Sequence, residues 1–154
     1  MTRSRRARLL ILLAVAVAAC GLLQRDEAPR SRGEQLYGTE ADVARYGALR
    51  YAENCMSCHG GATGGSMMDY PPRHNANGHT WHHGDCELKQ VIRTGSTPMT
   101  EMMRRMMASP DAPRMPAFRD RLSDEEIDAV LGYIKTLWTP GQRGFQEQVT
   151  REEC

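Results

Sequence analysis

The chain has 154 residues, 40% of them hydrophobic but only 6% aromatic, with 20 basic against 19 acidic side chains and a formal charge of +1. That near-neutral balance, with no basic run in the body of the chain, excludes nucleic acid as a partner. The length suits one modest domain, and so few aromatic side chains make a thin apolar core, which a large buried cofactor would help to fill.

The chain opens with Arg3, Arg5, Arg6 and Arg8, followed by an apolar run of eleven residues from Leu9 to Ala19. Eleven residues of helix rise about 16 Å, roughly half of the hydrocarbon core, too short to span a bilayer. The expectation is an export signal over residues 1–19. The run ends Val17-Ala18-Ala19-Cys20, which resembles a bacterial lipobox, a signal in which the cysteine receives the lipid and begins the mature protein. An ordinary secretory cleavage or a short uncleaved anchor are the alternatives. All three imply export, and the first places a lipid on Cys20 and the domain on the periplasmic side of a bacterial membrane. Cleavage before Cys20 removes four arginines and takes the formal charge from +1 to −3. Gly21 provides no acidic retention signal, which leaves inner and outer membrane both open.

From Leu22 to Thr39 the chain is charged, contains Gly and Pro, and has no apolar period, so residues 20–40 are expected to be a lipid-anchored linker. A helix is expected from about Ala41 to Asn54. The stretch from Gly60 to Gly84 holds Gly61, Gly64, Gly65 and Gly78 within its bounds, besides Pro71, Pro72 and several Asn and His. So long an irregular segment usually carries function. Asp85 can cap a short helix through Arg93, with Leu88, Val91 and Ile92 inward and Gly95 just past its end. Thr97-Pro98 starts another, Met99 to about Ala108. Pro110, Pro113 and Pro116 keep the stretch to Phe118 extended. The clearest helix is the last, opened by the capping box of Ser123 and Glu126. Ile127, Val130, Leu131, Ile134, Leu137 and Trp138 recur along one face of it. Pro140 and Gly141 are expected to end it, leaving residues 139–154 as a polar C-terminal tail. Strand signals are nearly absent, and the fold class is all-α with long loops.

Cys55-Met56-Ser57-Cys58-His59 has the C-x-x-C-H spacing of c-type haem attachment. Two thiols three residues apart can reach the two vinyl groups on one porphyrin edge, and the following histidine then sits under the iron. A thioredoxin-like pair would require a βαβ context that this sequence lacks. A zinc site would need a further ligand cluster, for which His79, His82 and His83 are the weaker candidates.

With these residues in view, the chain resembles class I single-haem bacterial cytochromes c over about residues 41–138. Gly47, Tyr51 and Cys55 stand one turn apart, as the small residue, aromatic and first haem cysteine do in that family's N-terminal helix. Val130-Leu131-Gly132-Tyr133-Ile134 resembles the segment of the C-terminal helix that crosses it. The resemblance implies a cytochrome c fold around one covalently attached haem c per chain. It also implies a distal methionine in the loop before the last helix, which Met115-Pro116-Ala117-Phe118 matches. Met67 and Met68 are too near His59 in sequence for that role. Met99, Met102, Met103, Met106 and Met107 lie on an expected helix, where flexible apolar packing is their ordinary use. In the family a loop proline's carbonyl accepts from the proximal histidine, which makes Pro71, ahead of Pro72, the expected acceptor. Trp81, with one histidine of Gly78-His79-Thr80-Trp81-His82-His83, is expected to hydrogen-bond a haem propionate.

The function so implied is an electron carrier, not an enzyme, passing single electrons between membrane oxidase, reductase or dehydrogenase complexes through a His59/Met115-ligated haem. Were Met115 not the ligand, His79, His82 or His83 would offer a bis-histidine haem; a haem sensor or peroxidase-like enzyme with an open sixth site is a separate alternative function. A copper-binding module drawing on those histidines and the methionines of 99–107 is another. Cys86 and Cys154 remain once lipid and haem have taken three cysteines. They could pair in an oxidising compartment, or Cys86 could be a buried small side chain.

Overall fold

The computed structural model describes Gln35 and residues 38–66, 70–107 and 113–154. The expected signal, Cys20, most of the linker, Met67 and Met68 lie outside them. Among the described residues the structure is helical and has no strand, as expected for an all-α chain: α1 (Glu40–Asn54), α2 (Met56–His59), α3 (Asp85–Thr94), α4 (Pro98–Met107), α5 (Asp124–Thr136) and α6 (Pro140–Glu153). A 3-10 turn covers Thr80–His82. No helix among these residues is long and apolar enough to cross a membrane.

Helix α1 begins at Thr39, whose hydroxyl accepts from the Asp42 N–H while the Asp42 carboxylate accepts from the Thr39 N–H at 3.1 Å. This reciprocal cap satisfies two donors that a helix start otherwise leaves bare. The helix packs most extensively on α5. At the crossing, a Cβ on Gly47 would overlap the Ala129 carbonyl, so the two backbones approach as only glycine allows. Gly132 does not share this role. A Cβ there would find only Val43 Cγ1 at 3.8 Å, an ordinary contact. Beside the crossing, the Tyr46 hydroxyl donates to Glu126 Oε1 at 2.8 Å and Arg50 Nε lies 3.0 Å from the same oxygen.

Two apolar clusters result from this packing. One joins Tyr51, Val130, Ile134 and Trp138, with Cys55 and Trp81 against its margin. The other joins Ile92, Phe118, Leu122 and Ile127, with Met115 against it. Each buried aliphatic or aromatic side chain contributes about 1.5–3 kcal/mol. The thin aromatic inventory is thus concentrated where helices meet.

Two local expectations fail. Asp85 does not cap α3; the N-cap is Gly84, which offers no side chain. The Asp85 carboxylate is drawn away by stronger partners, accepting from Lys135 Nζ at 2.8 Å and from Gln146 Nε2 at 2.6 Å. Within residues 139–154, expected as a polar tail beyond the last helix, Pro140–Glu153 form a further helix, α6. Thr139 and Gln142 form a capping box and Pro140 occupies the first turn, where its missing N–H costs nothing.

Helix α6 is fastened along its inner face. Gln146 is fully buried, and its amide also donates to the His83 carbonyl at 3.2 Å. The Thr150 hydroxyl accepts from the Asp85 N–H at 3.1 Å. Beyond them Cys154 forms a disulfide with Cys86, 68 residues away. A crosslink closing a loop of that size removes about 4 kcal/mol of unfolded-chain entropy.

Burial alone would raise the Asp85 pKa, but the hydrogen bonds from Lys135 and Gln146 outweigh it and hold the carboxyl below its ordinary range. A carboxylate depressed in this way stabilises the fold above its unfolded-state pKa, and the contribution is lost as pH falls through the folded value. Asp85→Asn is therefore expected to cost about 1.5–3 kcal/mol at neutral pH. The gap between variant and wild type should close as pH drops through the carboxylate range. Urea unfolding at a series of pH values measures it, and a gap independent of pH would show that Asp85 is not the anchor of α6.

Candidate functional site

Helix α1 delivers Tyr51 and then Cys55 along one face, and the chain turns at Cys55 into the single turn of α2. The Cys58 and His59 N–H groups both donate to the Cys55 carbonyl, at 3.1 and 3.0 Å. That turn fixes two thiols and an imidazole on one short piece of backbone. Both cysteines are free thiols, Cys55 half-buried and Cys58 exposed. Burial, and next the neighbouring Cys58, push the Cys55 thiol up to about 11. Cys55 is thus held as the neutral thiol.

His59 is buried, and its Nδ1–H donates to the Pro72 carbonyl at 2.7 Å. A carbonyl can only accept, so this contact fixes the tautomer and leaves Nε2 with its lone pair. The acceptor is Pro72 and not Pro71, which corrects the expectation by one residue. The bond goes to a main-chain carbonyl, and in a Pro-Pro pair the direction of successive carbonyls is set by how the loop arrives. Residue type cannot reveal it.

The loop after the histidine arrives under tight constraint. The Tyr51 hydroxyl donates to the Gly60 carbonyl at 2.6 Å. Gly60 has φ +70°, and a Cβ there would collide with the backbone of Gly64 and Gly65. Asn75, buried, donates to the carbonyls of Gly61 and Gly64 at 3.2 and 3.4 Å. His74, which no sequence signal singles out, stacks on His59 with ring centroids 4.2 Å apart and 21° between planes. Its carbonyl accepts from the Trp138 indole at 2.9 Å.

Met115 is positioned from a different corner. Gly95, just past α3, has φ +74°, and a Cβ there would run into the Met115 carbonyl. Ser96 then grips Met115 twice: its hydroxyl accepts from the Met115 N–H and its own N–H donates to the Met115 carbonyl, both at 3.0 Å. Nothing in the sequence marks Ser96 for this role, since it sits in an unremarkable Gly-Ser-Thr stretch.

Trp81 is anchored within its own loop. Its indole N–H already donates to the Gly78 carbonyl at 2.9 Å, and its ring packs on the first cluster beside His82 and Phe145. The neighbouring histidines do not converge. His83 Nδ1 lies 2.9 Å from Glu87 Oε2, and His79 meets His83 edge to face. Among the described residues no three His, Cys, Asp or Glu side chains are grouped so as to hold a metal ion.

The family model described as Cytochrome c matches residues 44–138, well over half of the chain. The fold and the Cys55–His59 turn define a helical electron-transfer haem protein. The chain belongs to the cytochrome c family. No curated protein matches it significantly. Membership implies covalently bound haem c, and the residues fit that group: two free thiols and an imidazole whose available nitrogen is the one a metal would need.

Ser96→Ala removes the acceptor of the Met115 N–H. The expected cost is about 1–3 kcal/mol in stability, with amide exchange quickened at Met115 and its neighbours. Hydrogen exchange read by mass spectrometry or NMR checks this, and unchanged exchange at Met115 would assign the segment's order to Gly95 instead.

Proposed function

We propose that this chain is an exported, lipid-anchored electron carrier, holding one haem and passing single electrons between redox complexes at a membrane surface. The observation that carries the proposal is the His59 imidazole, fixed by Pro72 in the tautomer that offers Nε2 as a ligand. The haem supplies a one-electron iron couple when bound. Cys55 and Cys58 would attach it by thioether bonds, and His59 would be the proximal ligand. Met115 is the distal ligand in this proposal, supported by its place off any helix, with its main chain held by Ser96. A thioether is soft and favours the reduced iron, which suits a carrier. By filling the sixth site, Met115 would also exclude oxygen, peroxide and carbon monoxide.

Anchoring rests on Cys20 and the small residues before it. The Cys86–Cys154 disulfide supports an oxidising, exported setting. A linker of about eighteen residues spans on the order of 25 Å as a flexible chain, enough for the domain to turn towards partners on the same membrane. Those partners would be oxidase, reductase or dehydrogenase complexes.

Met115→Ala in the haem-loaded protein should abolish the weak far-red sulfur-to-iron band, lower the potential and open the iron to carbon monoxide. Wild type that lacks the band and binds carbon monoxide readily would favour a sensor or peroxidase-like protein over a carrier. In the cell, Cys20→Ser should release the protein from membranes and end its labelling by radioactive or clickable fatty acid. Undiminished labelling would remove the anchor from the proposal.

A further inference from the structure

Helix α4 is amphipathic the wrong way round. Two of its charged residues face the protein while Arg105 is 69% exposed: the side chains of Glu101 and Arg104 are 15% and 10% exposed and form a paired ion bridge, with Arg104 Nη2 2.8 Å from Glu101 Oε1. Arg114, from beyond the helix, donates to the same oxygen at 3.0 Å. The Tyr70 hydroxyl secures this face by donating to the Thr100 carbonyl at 3.1 Å. The methionines are turned away from the rest of the polypeptide, with Met99 64%, Met102 48%, Met103 39% and Met106 74% exposed. These four do not pack against the chain's core as expected; the side chain of Met107 lies outside the description.

An exposed apolar stripe costs free energy in water, so its composition shows what it is suited to. It contains no Leu, Ile, Val or aromatic residue, the types that anchor a helix in lipid. Every apolar side chain on the stripe ends in a thioether. Their spacing is i, i+3, i+4 and i+7, which stacks them on adjacent turns with Cβ atoms about 5–6 Å apart. The long, flexible methionine side chains can close that gap around a single ion. Thioether sulfur is a soft, neutral donor that discriminates in favour of univalent copper over zinc, calcium or magnesium. Glu101 holds Arg104 and is within 3.4 Å of Arg105, so the neighbouring guanidinium charge that would repel a cation is partly offset.

We propose that the exposed methionine stripe of α4 is a binding site for a soft univalent cation, copper(I) in the first instance. Met102 and Met103 belong to both overlapping triplets, 99/102/103 and 102/103/106, and are the central ligands. The site is independent of the haem-binding proposal, since it shares no residue with the Cys55–His59 turn or with Met115. It draws on none of the loop histidines, of which His83 meets Glu87 and His79.

The test uses the full-length ferrous holoprotein and silver(I), a redox-inert probe of the same charge and softness, followed by titration calorimetry and by NMR of methionine methyl groups. One equivalent should bind and shift the methyls of Met99, Met102, Met103 and Met106 while that of Met115 stays put. Met102→Leu with Met103→Leu keeps the helix and its apolar surface but removes the central sulfurs, and should weaken binding at least tenfold. His79→Ala with His82→Ala should leave it unchanged. Absence of saturable binding, binding untouched by the leucine pair, or silver consumed at Met115 would each overturn the proposal. So would equal sedimentation of wild type and leucine variant with anionic phosphatidylglycerol vesicles when neither binds silver. That outcome would make the stripe an apolar docking face with no use for its sulfur.

Discussion

The contact between Gly47 and the Ala129 carbonyl sets the register of the whole site. Because no side chain intervenes, α1 and α5 are locked at one position along their lengths. Tyr51 stands one turn beyond Gly47 and Cys55 one turn beyond Tyr51, so sliding the crossing would displace all three together. The locked register puts Tyr51 against Val130, Ile134 and Trp138. From there the Tyr51 hydroxyl holds the Gly60 carbonyl and the Trp138 indole holds the His74 carbonyl. Gly60 is next to His59 in sequence, and the His74 ring stacks on it. A backbone approach some turns away is thus converted into the orientation of a single imidazole.

The second organising device is the clasp between α3 and α6. Its centre is polar, and it works because its strongest groups find partners: Asp85 meets Lys135, Gln146 and Thr150, while the Gln146 amide also reaches the His83 carbonyl. An unpaired carboxylate in that half-buried position would cost more than the cluster returns. The disulfide adds a contribution of another kind, acting on the unfolded chain, and the two together hold a helix of low apolar content in place. Phe145 on that helix closes over Trp81 and His82, so the loop rich in histidine is shaped from the chain's far end.

Much of this is legible in the sequence wherever local rules act. The Ser123–Glu126 box, the Thr97-Pro98 start and the Cys55–His59 spacing each depend on a few adjacent residues, and each is found in the structure as a helix start or a single turn. Helix α6 obeys the same rules, since Thr139-Pro140 with Gln142 repeats the logic of Thr97-Pro98. Its start is ambiguous in sequence because a proline there ends α5 as readily as it opens the next helix. The inside-out packing of α4 cannot be read from periodicity at all. A methionine stripe has the same period whether it faces core or water, and only the Glu101–Arg104 pair, buried against the protein, decides the question. Pro72, His74 and Ser96 are out of reach for a third reason: each acts through a main-chain group or a ring stack whose direction depends on distant parts of the fold.

His74 shows what such distant dependence achieves. Two imidazoles stacked at 4.2 Å can coexist only if they do not both carry charge. Burial, and next the adjacent His59, lower the His74 pKa well below its ordinary value. For His59, burial lowers the pKa and the Pro72 carbonyl opposes it only in part. The fold therefore presents both rings neutral, with the proton of His59 placed on Nδ1 by Pro72. In the unfolded chain that histidine would titrate near neutrality and exchange tautomers freely. Within the fold, both the charge state and the face offered by Nε2 are settled by packing that traces back to Gly47. The local pentapeptide supplies the ligand atoms, and the helix crossing supplies their protonation and direction.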